Sequence, residues 1–153
     1  MKQNPLKLIC LILLVSLSLP LRAQEGLKIG HLFTKYGNAQ GVTLVELNGE
    51  ILASYRMDTY RSLVFEDVTP YAPEIEDGLE DAVRSQQVQK RQLVNQSGTL
   101  RSAYLQLTNV QRKGRKLRRY LLFKRGKGTV ATLIYIEGRL SEKELMDMLY
   151  KKQ

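Results

Sequence analysis

Cysteine is almost missing from this chain. Its 153 residues hold one, Cys10, inside an apolar run near the N-terminus. From Gln24 onward there is none, which excludes a disulfide framework, a thiol nucleophile and a thiolate metal site from that region. Histidine is equally scarce, with His31 alone. A histidine-built metal centre is excluded, and a Ser-His-Asp triad would have to use His31 without the Gly-x-Ser-x-Gly elbow that such sites favour. The carboxylates do not fall at calcium-loop spacing. No catalytic residue, metal ligand or cofactor follows from these patterns. Internal repeats and low-complexity linkers are also lacking, so the chain reads as one domain.

One sign of charge is missing from two long stretches. From Ala82 to Gly128 there is no Asp or Glu, against thirteen Lys and Arg. From Glu66 to Asp81 there is no Lys or Arg, against seven acids. Six of the cations crowd into Arg112, Lys113, Arg115, Lys116, Arg118 and Arg119.

The N-terminus follows different rules. Lys2 and Lys7 precede Leu8 to Leu19, an apolar run broken only by Ser16 and Ser18, and Pro20 and Ala23 follow. This is the layout of a secretory signal peptide, with cleavage expected after Ala23. The run falls short of the roughly 20 apolar residues a membrane span requires. The expected domains are therefore residues 1–23 as a signal peptide and 24–153 as a single exported unit. Removing Lys2, Lys7 and Arg22 from the 24 basic residues leaves 21 against 15 acidic ones, a mature charge of +6. No transmembrane span remains after cleavage.

Periodicity supplies the elements. Leu27, His31, Leu32 and Tyr36 predict a first helix ending at Gly37. Gly41 to Leu47 alternates and is β-branched, predicting a strand before the Asn48-Gly49 turn. Glu50 to Met57 reads as a strand or one helical turn, with strand preferred, and Arg61 to Glu66 as a short strand. Ile75, Leu79, Ala82 and Val83 predict a helix over Pro73 to Gln87, its first turns acidic as the helix dipole favours. Strands follow at Val88 to Asn95, Thr99 to Thr108, Leu117 to Lys124 and Thr129 to Ile136, with a loop over Gln111 to Lys116 and turns at Ser97-Gly98 and Gly126-Lys127-Gly128. The last strand is the most apolar and belongs in the sheet centre. Ser141 with Glu144 three residues on forms a capping box for a C-terminal helix. The expectation is an α+β domain with a mainly antiparallel sheet of about six strands and three helices.

Two functional readings compete for the basic run. It is either an anion-binding surface or a solvated loop that keeps a sheet edge from aggregating. The anion-binding reading takes Arg112, Lys113, Arg115, Lys116, Arg118, Arg119, Lys124, Arg125 and Lys127 as its residues. Its partners would be anionic lipid, acidic glycan or an acidic protein, and export counts against nucleic acid. Glu46, Glu50 and Glu137 offer a carboxylate pair for a hydrolase. An adaptor that pairs its acidic helix with another copy's basic loop is a third possibility.

Several phrases also form a family likeness: Phe33-Thr34-Lys35-Tyr36-Gly37, Gly41 to Leu47, Tyr60 to Phe65, Tyr120 to Lys124, and Thr132 to Gly138 followed by Ser141 to Leu145. Together they resemble a family of small secreted Bacteroidetes proteins known only as a domain of unknown function. The resemblance implies a periplasmic or outer-envelope location. Because such genes accompany extracytoplasmic sigma factors, it also implies an accessory role in envelope stress. It brings no catalytic residues with it.

Overall fold

The computed structural model describes residues 27–151. The expected leader and its cleavage site lie outside them. The chain forms α1 (Gly30–Tyr36), β1 (Val42–Leu47), α2 (Glu50–Ala53), β2 (Met57–Phe65), α3 (Ala72–Arg84), β3 (Val88–Gln96), β4 (Thr99–Arg112), β5 (Arg115–Arg125), β6 (Ala131–Gly138) and α4 (Glu142–Tyr150). The six strands make one sheet in the order β1-β2-β6-β5-β4-β3. Every neighbouring pair is antiparallel. After β2 the chain passes through α3 to the far edge, and the β3–β6 meander brings it back beside β2.

Alternation along each strand feeds two cores. One sheet face packs Leu63, Phe65, Leu105, Leu121, Phe123 and Leu133 against Leu32 and Phe33 of α1 and Ile75, Leu79 and Ala82 of α3. The other packs Met57, Tyr104, Tyr120, Leu122 and Ile136 against Leu52 of α2 and Leu145 of α4. β6 is internal, between β2 and β5, and contributes Leu133 to one core and Ile136 to the other. The capping box at Ser141 forms as expected, with Oγ accepting from the Glu144 amide at 3.2 Å.

Three expectations are corrected. The preferred strand over Glu50 to Met57 is instead a single helical turn at Glu50–Ala53, which brings the helices among the described residues to four. Only Leu52 of that turn is buried, and Arg56 at φ +59° reverses the chain before β2 starts at Met57. The expected loop over Gln111 to Lys116 is a tight hairpin, with only Lys113 and Gly114 between the strands, at φ +50° and +75°. β2 begins at Met57, earlier than the Arg61 start expected.

Glycine costs stability in the middle of a helix, and Gly78 is buried midway along α3. Its place is under Ile29: a Cβ there would lie 3.0 Å from the Ile29 Cβ. The missing side chain lets α3 approach the segment leading into α1.

Candidate anion-binding site

The tight β4–β5 hairpin decides which basic residues can act together. Arg112 and Arg115 face each other across the turn. Like charges placed so oppose pairing unless each finds an acid. Each does. Arg115 Nη2 reaches Asp58 Oδ2 on β2 at 2.8 Å. Arg112 grips Glu137 on β6, Nε to Oε2 at 3.2 Å and Nη2 to Oε1 at 3.0 Å.

Glu137 is 5% exposed. It also accepts from the Tyr135 hydroxyl at 2.6 Å. Burial alone would raise its pKa, but the Arg112 and Tyr135 hydrogen bonds and the charges of Arg112 and Arg119 outweigh it, leaving the carboxyl below its usual value of 4.5. Burial first, then the adjacent Glu137 charge, pushes the Tyr135 hydroxyl up. This network floors a cleft of about 660 Å³ walled by Ile29 and Phe33 and rimmed by His31, Arg61, Lys113 and Arg115.

The opposite sheet face of the same hairpin carries a second, smaller cleft of about 310 Å³, lined by Arg56, Asn109, Lys116, Arg118 and Arg139. A bulge in β4 builds it. Leu107 pairs with Arg119 and Val110 with Leu117, so Thr108 and Asn109 share one opposing residue. Such an extra residue re-aims side chains. Thr108 serves the first face, where its carbonyl and hydroxyl oxygens accept from Arg119 at 2.7 and 3.0 Å. Asn109 serves the second, where its Oδ1 is buried and has no hydrogen-bond partner among the described residues. Arg56 and Arg139 meet here because Arg139 N donates to Arg56 O at 2.8 Å. Arg118 Nη1 donates to the Arg139 carbonyl at 2.9 Å.

The sequence-derived residues therefore divide. Arg112, Lys113, Arg115, Lys116 and Arg118 gather at one end of the sheet. Arg119 is 3% exposed, and its guanidinium is held by Thr108 and by Gln87 at 3.3 Å, so it belongs to the interior. Lys124, Arg125 and Lys127 sit at or beyond the other end of an 11-residue strand, about 20 Å from Arg118 and about 33 Å from Arg115 along β5. There Arg125 Nε donates to the Leu100 carbonyl at 2.8 Å and Lys124 lies over the Tyr150 ring at 5.9 Å. One continuous nine-residue patch is thus replaced by two separated ends. Sequence reasoning missed Arg56, Arg61 and Arg139, which come from α2's exit, β2 and the turn after β6. They are scattered singletons in the chain.

Of the three candidate carboxylates, only Glu137 lines the larger cleft. Glu46 pairs with Arg61 at 2.9 Å, and Glu50 opens α2. Four of the five acids of α3 are engaged within the chain. Glu74 meets Lys35 at 2.8 Å and the Tyr36 hydroxyl, Asp77 meets Lys28 and Arg84, Glu80 meets Arg84 at 3.5 Å, and Glu76 meets Arg125 at 3.9 Å. Among the described residues no cluster of His, Cys, Asp and Glu could hold a metal ion, and no helix is long and apolar enough to cross a membrane.

No curated protein matches the chain. Its fold has a distant likeness to the crystal structure of a protein of unknown function from Pseudomonas aeruginosa, with 18% identity, a TM-score of 0.36, and coverage of 74% of this chain and 79% of that one. A likeness that remote carries no functional argument. The sequence itself is matched over residues 16–149 by a family model, and the chain belongs to that family, a family of unknown function designated DUF6108.

Proposed function

We propose that this is an exported, non-enzymatic envelope protein that binds an anionic surface or partner through the β4–β5 end of its sheet. The observation that carries the reading is the gathering of cations from four separate stretches of chain. Arg56, Arg61, Arg139 and the hairpin residues Arg112, Lys113, Arg115, Lys116 and Arg118 all line the two clefts that flank the hairpin. Arg112 and Arg115 are paired with Glu137 and Asp58, Arg61 with Glu46 and Arg56 with Glu144, so Lys113, Lys116, Arg118 and Arg139 carry the uncompensated charge. Uncompensated positive charge around concave surfaces focuses potential and attracts anions. The leader-like N-terminus supports export, and the likeness to secreted Bacteroidetes proteins supports an envelope location.

A glycosidase-type mechanism draws less support. It calls for one carboxyl held protonated beside a second that is ionised. Glu137 is instead held ionised by Arg112. The adaptor reading is weakened because four acids of α3 already have partners on the segment before α1, on α1, on β5 or on α3 itself.

The test is sedimentation with anionic vesicles across a salt series. Binding should fall steeply with salt. It should drop when Arg112, Lys113, Arg115 and Lys116 are changed to Ser. Lys113→Ser with Lys116→Ser should reproduce most of the loss without touching the Arg112 and Arg115 ion pairs. Absence of binding to any anionic surface at low salt rejects the reading. Mass spectrometry of the accumulated protein should find residues 1–23 removed, and an intact Met1 would reject export by this route.

A further inference from the structure

We infer that the smaller cleft, on the α2/α4 side of the hairpin, is a discrete binding site for a phosphomonoester group. The inference rests on the anion-binding reading above and names its ligand. Three arginines and one lysine line the cleft. Arg56 shares its charge with Glu144 at 2.7 Å, so the site has three cationic charges left to offer. A carboxylate or a phosphodiester brings one negative charge. A phosphomonoester brings about −1.5 to −2 at neutral pH and three acceptor oxygens. Planar guanidinium forks match such oxygens two at a time, and Lys116 adds a point charge.

Asn109 makes the site more than a patch of charge. Its side-chain oxygen is a buried acceptor without a partner among the described residues, beside four donors of hydrogen bonds. Unsatisfied buried polar atoms are rare and call for an explanation. A phosphomonoester retains one proton for part of the time near neutrality, since its second pKa is about 6, and it usually hangs on a hydroxyl-bearing sugar or glycerol. Either O–H can donate to Asn109 while the remaining oxygens accept from the cations.

The backbone is built for this cleft. The bulge at Thr108 and Asn109 puts Asn109 on its wall. Gly138, which pairs with both Met57 and Arg118, lets the Arg56 backbone come so close that a Cβ would lie 2.5 Å from the Arg56 carbonyl oxygen. The ordinary strand pairing of β6 thereby brings Arg56, Arg118 and Arg139 together.

The experiment compares purified protein on phosphatidylcholine vesicles containing either phosphatidic acid, a phosphomonoester, or phosphatidylglycerol, a phosphodiester, at matched surface charge. Glycerol 3-phosphate serves as the soluble probe, followed by calorimetry. The phosphatidic acid vesicles should bind at least about tenfold tighter, as expected for an extra set of charge-assisted hydrogen bonds. Arg139→Gln and Arg56→Gly should each erase that preference, while the general, salt-sensitive binding falls only by about the share of one cation. Arg56→Gly keeps the backbone, because glycine adopts the φ of +59° freely, and leaves the Glu144 carboxylate without its cation beside the cleft. Glycerol 3-phosphate binding that the same two variants abolish, without a vesicle preference, supports the site with a soluble ligand as its source. Equal, salt-sensitive binding to both vesicles with no binding of glycerol 3-phosphate overturns the site and leaves the basic-surface reading standing. Failure to bind any of the three at low salt overturns both.

Discussion

Arg112 holds Glu137 through two nitrogens across the width of β5, and the Tyr135 hydroxyl completes the carboxylate's shell. Glu137 is all but buried whereas the Arg112 side chain is 42% exposed. In this pair a part-exposed cation satisfies a buried anion. Arg112→Ala leaves that anion with less support, and we expect a loss of about 1–3 kcal/mol at pH 7, below the value for a fully buried pair. The carboxyl's pKa is depressed in the folded chain, so its contribution is whole above pH 4.5 and is lost as the pH falls through the lowered value. The difference between wild type and Arg112→Ala in urea unfolding should accordingly shrink between pH 7 and pH 3. An unchanged difference would show that Arg112 acts through packing instead.

Tyr120 is fully buried in the second core and donates its hydroxyl to the Leu140 carbonyl at 2.9 Å. That bond ties β5 to the turn leading into α4. Tyr120→Phe removes the donor and strands the carbonyl, at a cost of about 1–2 kcal/mol. Tyr120→Ala also empties the ring's volume and should cost about 3–5 kcal/mol. Denaturant midpoints read both, provided the m-value is constant. Equal losses in the two variants would assign the whole effect to the hydroxyl and refute the packing part.

Local signals carried most of the fold into the sequence. Ser97-Gly98 announces a hairpin because both residues take positive φ there. The apolar run from Ala131 to Ile136 announces an interior strand because it must fill two cores at once. Ser141 and Glu144 announce a helix start because their bonds are reciprocal and lie three residues apart. What stayed hidden depends on contacts between distant parts of the chain. Asp58 and Glu137 are unremarkable acids until strand order puts them within reach of Arg115 and Arg112. The basic run reads as one surface in the sequence, yet strand alternation sends Arg115 and Arg119 to one face and Lys116 and Arg118 to the other. The bulge at Asn109 has no sequence signature, since it is a mismatch between two strands rather than a property of either.

Gly138 is where the core and the smaller cleft share one constraint. A Cβ there would meet the Arg56 carbonyl oxygen at 2.5 Å and the Met57 Cα at 2.8 Å, both backbone atoms that cannot rotate away. Gly138→Ala should therefore separate β6 from the α2–β2 turn and cost about 1–3 kcal/mol, the usual range for overpacking. Amide exchange at Arg139 and Leu140, whose N–H groups donate to Arg56 O, should accelerate more than exchange in β4. Uniform acceleration would mean that the substitution acts globally and that the turn is not the point of strain.

Lys113 offers a way to separate binding from folding. It precedes Gly114 in the two-residue turn, and both hold positive φ. Lysine tolerates that conformation poorly, whereas Asn-Gly is the pair that two-residue hairpins prefer. Lys113→Asn should thus stabilise the fold by up to about 1 kcal/mol while removing one cation from the hairpin tip. If the tip meets an anionic surface, each lysine there is worth about 1 kcal/mol, and vesicle affinity should fall roughly fivefold. A variant that melts higher and binds more weakly ties the loss to charge, because damage to the fold is excluded by the same measurement. A variant that melts higher and binds as before would place the hairpin tip outside the contact and leave only the cleft residues to make it.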